Sequence, residues 1–136
     1  MQPRFVDTNI LLRYLVRDNQ EQAERSLNLL LRVERGEEKV YTSSLVIFET
    51  VFTLQKFYKV PRQDIAEQLL TIISLRNFHV PEKDVYRRAF NLYISKNIPF
   101  GDAYNAAYAL EEEQPVVYSW DKDFDKIDGI TRVEPE

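Results

Sequence analysis

Short runs of strand-forming residues alternate with helical apolar patterns along the whole of this chain, and this order constrains the fold more than any other feature. Consecutive strands separated by a helix cannot close a tight hairpin; they pair in parallel and leave the helices to cover the sheet faces. The first strand pattern is Arg4–Val6, followed by a helix from about Thr8 carrying Ile10, Leu11, Leu12 and Leu15. A second helix is predicted over Gln20 to Glu34, its Ala23, Leu27, Leu30 and Leu31 following the spacing of one buried face, with Gly36 ending it. Lys39–Thr42 reads as a strand, and Ser43 or Ser44 caps a helix from Leu45 to about Tyr58.

Pro61 opens the next helix, with Ile65, Leu69, Ile72 and Ile73 on one face. Asn77–Val80 is a further strand, and Lys83–Lys96 a helix with Val85, Ala89, Leu92 and Tyr93 in register. After Pro99, residues Gly101–Glu112 form an Ala-rich helix suited to close packing. Val116–Ser119 is a strand, residues 122–127 a short helix and Ile130–Val133 the last strand. The expectation is a single α/β domain spanning residues 1–136, with a mostly parallel sheet.

Composition narrows the chemistry. The 136 residues include no Cys and one His, at position 79. Zero Cys excludes disulfides and thiolate zinc sites and favours a reducing compartment, and one His makes imidazole clusters and Ser-His-Asp triads hard to build. His79 sits in a strand pattern and reads as structural. Net charge is −4, which argues against tight nonspecific duplex binding but not against a nucleic acid held through a local patch or a metal. The N-terminus lacks the regions of a signal peptide, and the longest apolar run, Leu45 to Phe48, falls far short of a membrane span. A cytoplasmic protein with no membrane association is expected.

Four acids lie where strands hand over to helices: Asp7, Glu49, Asp102 and Asp121. In an open parallel sheet ligands bind outside the carboxyl ends of the strands. Asp7 follows the first strand and Asp121 the fourth; were those strands neighbours, the carboxylates would meet. Glu49 shares its helix face with Leu45, Val46 and Phe52, so its carboxylate is expected in apolar surroundings, where it needs a partner. Carboxylates converging on one point repel unless a cation holds them, and an all-oxygen set suits Mg²⁺ or Mn²⁺.

Taken singly, Asp7, Asp102 and Asp121 are better explained as ordinary helix N-caps, and Glu49 can be the partner of an arginine; only the set of four favours a site. Thr8, Asn9, Asn105 and Ser119 suit hydrogen bonds that orient the acids. Asp123, Asp125 and Asp128 read as solvated, with Asp125 in reach of a second ion. Arg13, Arg17 and Lys122 are candidate phosphate contacts, although a solvated helix face accounts for them too.

Four segments taken in order, Phe5-Val6-Asp7-Thr8-Asn9-Ile10-Leu11, Ser43-Ser44-Leu45 ahead of Glu49, Phe100-Gly101-Asp102-Ala103 and Tyr118-Ser119-Trp120-Asp121-Lys122-Asp123-Phe124, resemble PIN-domain ribonucleases. The likeness is particularly to VapC-type toxins of toxin–antitoxin pairs and runs over nearly the whole chain. Ser119 stands where that family often has Thr, which keeps the hydroxyl. The resemblance implies a three-layer α/β/α sandwich around a five-stranded, mostly parallel sheet, with Asp7, Glu49, Asp102 and Asp121 as its acidic site. It further implies metal-dependent endoribonuclease activity with Mg²⁺ or Mn²⁺, cleavage leaving a 5′-phosphate and a 3′-hydroxyl, a homodimer, and a cognate antitoxin.

Helices 45–58 and 61–75 are the candidate dimer and antitoxin surfaces, core packing being the alternative for the same residues. A catalytically silent interaction partner of the same fold is the second reading. A metal-dependent phosphatase with Asp7 as nucleophile is the third, weakened because that chemistry wants an Asp at position 9 and the chain has Asn9.

Overall fold

The computed structural model describes residues 2–136. They form two compact units, one ending at Lys83 and the other spanning Asp84–Glu136.

The first unit runs β1 (Arg4–Phe5), α1 (Thr8–Val16), α2 (Gln20–Glu34), β2 (Val40–Tyr41), α3 (Ser44–Lys56), α4 (Arg62–Ile73) and β3 (Phe78–His79). Its three strands form a parallel sheet in the order β1-β2-β3, with Arg4 opposite Val40 and Val40 opposite Phe78. Pairing continues past the short strands: the Val6 amide donates to the Tyr41 carbonyl at 2.8 Å and the Thr42 amide to that of His79 at 2.9 Å. Buried Thr42 then donates its hydroxyl to the Val6 carbonyl at 2.7 Å, fixing the chain one residue before Asp7. The helices start where local chemistry dictates. Asn19 accepts from the Gln22 amide at 3.0 Å and Ser43 from that of Val46 at 3.3 Å, each satisfying a donor left over at a helix start.

Helix α1 stops at Arg17, whose left-handed φ of 61° turns the chain toward α2. On α4 the expected face is buried in full: Ile65, Leu69, Ile72 and Ile73. Those residues are therefore core, and α4 offers no apolar docking face of the kind expected of residues 61–75. On α2 the buried residues are Ala23, Ser26, Leu30 and Val33, while Leu27 and Leu31 are half-buried. Small Ser26 lets that face come closer than Leu27 would.

The second unit comprises α5 (Lys83–Ser95, entered at the unit boundary), α6 (Phe100–Ala109), β4 (Val116–Tyr118), a 3₁₀ turn (Lys122–Lys126) and β5 (Thr131–Val133). Strands β4 and β5 pair in parallel, Val116 opposite Thr131 and Tyr118 opposite Val133. Val85, Ala89 and Tyr93 of α5 are buried as the periodicity predicts, joined by Tyr86 and Phe90.

The fold is thus α/β, and each observed strand pairing is parallel. The five expected strands are all present but fall into a three-stranded sheet and a two-stranded pair rather than one continuous ladder. Strands of two or three residues make few rungs, so each unit relies on helix packing more than on the sheet. Among the described residues no helix is long and apolar enough to cross a membrane.

Candidate active site

The densest acidic cluster lies wholly within the second unit. Asp102, Asp121 and Asp123 each offer a carboxylate oxygen, and these oxygens lie within 4.8 Å of one another. Three pieces of local chemistry put them there. Helix α6 begins at Phe100, one residue earlier than predicted, because its buried ring packs on Phe90 at 4.7 Å and edge-on to Tyr93 at 5.6 Å. That anchor sets Asp102 in the first helical turn, where the helix dipole favours a negative charge.

After β4, the Asp121 amide donates to the Ser119 hydroxyl at 2.9 Å, and the Asp121 carboxylate caps the 3₁₀ turn by accepting from the Asp123 amide at 2.9 Å. Buried Phe124 and Ile127 pin that turn to the unit. Arg132 of β5 closes the arrangement. Its guanidinium, 12 % exposed, donates to the Ser119 carbonyl at 2.9 Å and to Asp125 at 3.0 Å, and it also reaches Glu134 at 2.9 Å.

Lys126 pairs with Asp123 at 3.1 Å, while Asp102 and Asp121 have no basic partner among the described residues. Half-buried Asp102 has its pKa raised above its ordinary 3.8, first by burial, then by a hydrogen bond with Asp121 and by the charges of Asp121 and Asp123. Two carboxyls sharing a hydrogen bond must hold a proton between them unless a cation replaces it. The donor set is entirely carboxylate oxygen, which matches a hard divalent cation and not a soft or imidazole-seeking metal. Beside the acids lies an open depression of about 540 Å³ between α6 and β4, lined by Asp102, Asn105, Ala109, Tyr118, Ser119 and Asp121 among others.

In the first unit Asp7 is exposed and occupies the N-cap position of α1, yet its side chain makes no capping hydrogen bond. Capping is therefore not what its carboxylate does. Glu49 is exposed, not surrounded by apolar groups as expected: its helix face carries Leu45 and Phe52, themselves 66 % and 53 % exposed. Its partner is no arginine but Thr8, whose hydroxyl donates to Glu49 Oε2 at 3.0 Å. Asn9 lines a different groove of this unit, with Arg4, Arg13 and Arg32. Arg13 is engaged by Gln22 at 2.6 Å and Asp18 at 3.5 Å, and Arg17 lies 5.4 Å from the Tyr14 ring centre. Lys122, exposed beside Asp121, makes no ion pair among the described residues.

Two functional candidates escape a reading of the sequence. Asp123, expected to be solvated, joins the cluster, because a 3₁₀ turn carries it back toward Asp121; the Asp121-Lys122-Asp123 spacing was the available signal. Asp125, the expected reserve ligand, is instead tied to Arg132. Arg132 itself has no sequence signal for its role at the turn, since Ser119 and Asp125 lie in other segments.

The family model for the PIN domain matches residues 4–130. The VapC ribonuclease of Aquifex aeolicus is 30% identical over 132 residues, covering 97% of this chain and 96% of that protein. With both similarities extending over nearly the whole sequence, this protein belongs to the PIN domain family.

Proposed function

We propose that this protein is a metal-dependent endoribonuclease using Mg²⁺ or Mn²⁺. The observation that carries the reading is the carboxylate cluster of Asp102, Asp121 and Asp123, in a chain similar to a VapC ribonuclease. Asp102, Asp121 and Asp123 hold the ion, while Asp7 and Glu49 serve the same reaction as further acids. The family match crosses the boundary between the two units, which supports residues 1–136 working as one functional domain.

When bound, the ion lowers the pKa of water and offsets charge developing on the phosphate. The chain's own residues prepare for this. Asp102 gives up the proton it shares with Asp121, and Ser119 and the Asp123 amide hold Asp121 in place. Thr8 fixes the rotamer of Glu49. Asn105, exposed on the depression that Asp102 also lines, offers an amide donor for a phosphate oxygen, and Lys122, next to Asp121 in sequence, offers a cation.

The resemblance of the four acidic segments to VapC-type toxins further supports a cytoplasmic toxin paired with an antitoxin protein. A homodimer would use the apolar side chains that α3 leaves exposed, Leu45 and Phe52.

The test is cleavage of a mixed RNA pool with Mg²⁺, with Mn²⁺ and with EDTA, comparing the wild type with Asp7→Asn and Asp121→Asn. Cutting that needs metal and falls in both variants is expected. Full activity of Asp121→Asn overturns the assignment, and a folded wild type that cuts nothing favours a binding role.

A further inference from the structure

The first unit carries a groove of about 700 Å³ between β1, α1 and α2, whose chemistry the carboxylates do not explain. Arg4, Arg13, Arg25 and Arg32 line it, against one acid among the described residues, Glu38. A chain of net charge −4 thus gathers a local excess of positive charge. Helical geometry accounts for part of it: Arg25 and Arg32 stand two turns apart on α2, about 10 Å in rise along one face. Two of the guanidiniums remain available. Arg4 makes no ion pair among the described residues, and Arg25 meets Glu21 at 3.7 Å with both side chains in solvent, a contact worth little. The other two are held in position, Arg13 by the Gln22 side-chain oxygen at 2.6 Å and by Asp18 at 3.5 Å, Arg32 by Glu38 at 3.3 Å.

A second observation does not depend on charge. Ser26 of α2 lines the same groove, is 5 % exposed, and makes no hydrogen bond among the described residues. A helical hydroxyl can donate to the carbonyl one turn back, as Thr50 does at 2.7 Å and Thr71 at 2.8 Å. Ser26 does not, and a hydroxyl left over at the wall of a groove calls for a ligand.

We propose that this groove binds a free nucleoside di- or triphosphate, through residues none of which belongs to the carboxylate cluster. The guanidiniums outnumber Glu38 by three, a surplus of the order of the charge on such a ligand, and each can hold phosphate oxygens through paired hydrogen bonds. Ser26 donates to a phosphate or ribose oxygen. Ile10, Leu29 and Val40 supply an apolar wall for the base, and Asn9 and Asn28 supply amides for its edge. The volume lies within the roughly 300–1,000 Å³ of sites for one small ligand. A strand of nucleic acid needs a longer track with repeated rings for its bases, and Phe5 is the one aromatic residue along this groove.

Calorimetric titration of the full chain in EDTA tests this, since without a divalent ion the carboxylates repel phosphate. The probes are ATP and GTP, their monophosphates, inorganic pyrophosphate and a single-stranded oligoribonucleotide. Expected are one site per chain and binding about tenfold tighter for a triphosphate than for its monophosphate. The double variant Arg4→Gln, Arg25→Gln should lose about tenfold or more. Ser26→Ala, which keeps both the charge and the helix, should lose severalfold. An unchanged Ser26→Ala overturns the proposal, because attraction by charge alone would survive it. Pyrophosphate that binds as tightly as ATP also overturns it, by leaving the base without a contact. So does an oligoribonucleotide that binds more tightly than the triphosphates, which would make the groove a strand track, and so does a folded wild type that binds none of the nucleotides. None of these outcomes depends on RNA cleavage, so the ribonuclease reading stands or falls separately.

Discussion

Asp102 and Asp121 offer carboxylate oxygens within 4.8 Å of one another, with Asp123 close enough to add its own charge. Burial and the charges of Asp121 and Asp123 therefore make Asp102 keep its proton to higher pH than an isolated Asp. The sign of the linkage follows. A carboxyl whose folded-state pKa is raised contributes stability that is fully present below its ordinary 3.8 and lost as pH rises through the raised value. A divalent ion needs both groups ionised, so its affinity rises over the same window. The melting temperature with Mg²⁺, less that with EDTA, should grow as pH rises from acid toward neutral. A difference that stays constant with pH would show that the pair does not hold the ion.

Asp102→Asn removes the repulsion and the ligand together. Without metal at neutral pH, the variant should equal or exceed the wild type in stability, by about 0.5 kcal/mol given how much solvent screens the cluster. Its stabilisation by Mg²⁺ should vanish, and cleavage should fall by about 10²–10³-fold. Thermal melts with and without Mg²⁺, beside an RNA assay, check all three; a variant that Mg²⁺ still stabilises contradicts the assignment.

Arg132 acts through others, holding the Ser119 carbonyl and Asp125 so that the turn bearing Asp121 and Asp123 keeps its shape. Arg132→Met should lower stability in chemical denaturation, because the Ser119 carbonyl and Asp125 lose their donor. It should also weaken Mn²⁺ binding, measured calorimetrically. Arg132→Lys should recover little of either, since a single ammonium cannot reproduce the fork.

Thr8 and Thr42 separate chemistry from folding. Thr42→Val leaves the buried Val6 carbonyl without its 2.7 Å donor and should destabilise by about 1–3 kcal/mol. Thr8→Val frees the exposed Glu49 carboxylate, so its stability should stay within about 0.5 kcal/mol of wild type. Under the ribonuclease reading its cleavage rate should drop several-fold, with Thr8→Ser restoring it. An unchanged rate in Thr8→Val would take Glu49 out of the reaction.

Phe124 is the anchor of the 3₁₀ turn, 6 % exposed. Phe124→Ala should cost about 3–5 kcal/mol and weaken the ion as well, because the turn then loses its fixed register. Urea titration with and without Mg²⁺ would show both effects, and a variant of normal ion affinity would mean the turn holds its shape without that ring.

Every expected helix and strand exists, because helical periodicity and capping residues such as Asn19 and Ser43 act locally and can be read from neighbours in sequence. The face of α2 shifted toward Ser26 because small residues are chosen by the surface they approach, which sequence does not name. Glu49 was misjudged for a related reason: an apolar residue such as Phe52 on a helix face signals burial only when something covers it. Asp123 and Arg132 were missed because their roles arise from the 3₁₀ turn and from pairing between β4 and β5, relationships created by folding. The acids at strand ends were legible because strand-to-helix junctions have a fixed position in an α/β order.

The three clustered carboxylates of the second unit come from only two stretches of chain, the start of α6 and the turn after β4. An ion shared by those stretches is a reversible crosslink that closes the intervening loop and restricts the chain when it opens. Divalent-ion concentration then sets more than turnover. It governs how often residues 102–123 breathe, and amide protection across that segment becomes a direct gauge of ion occupancy.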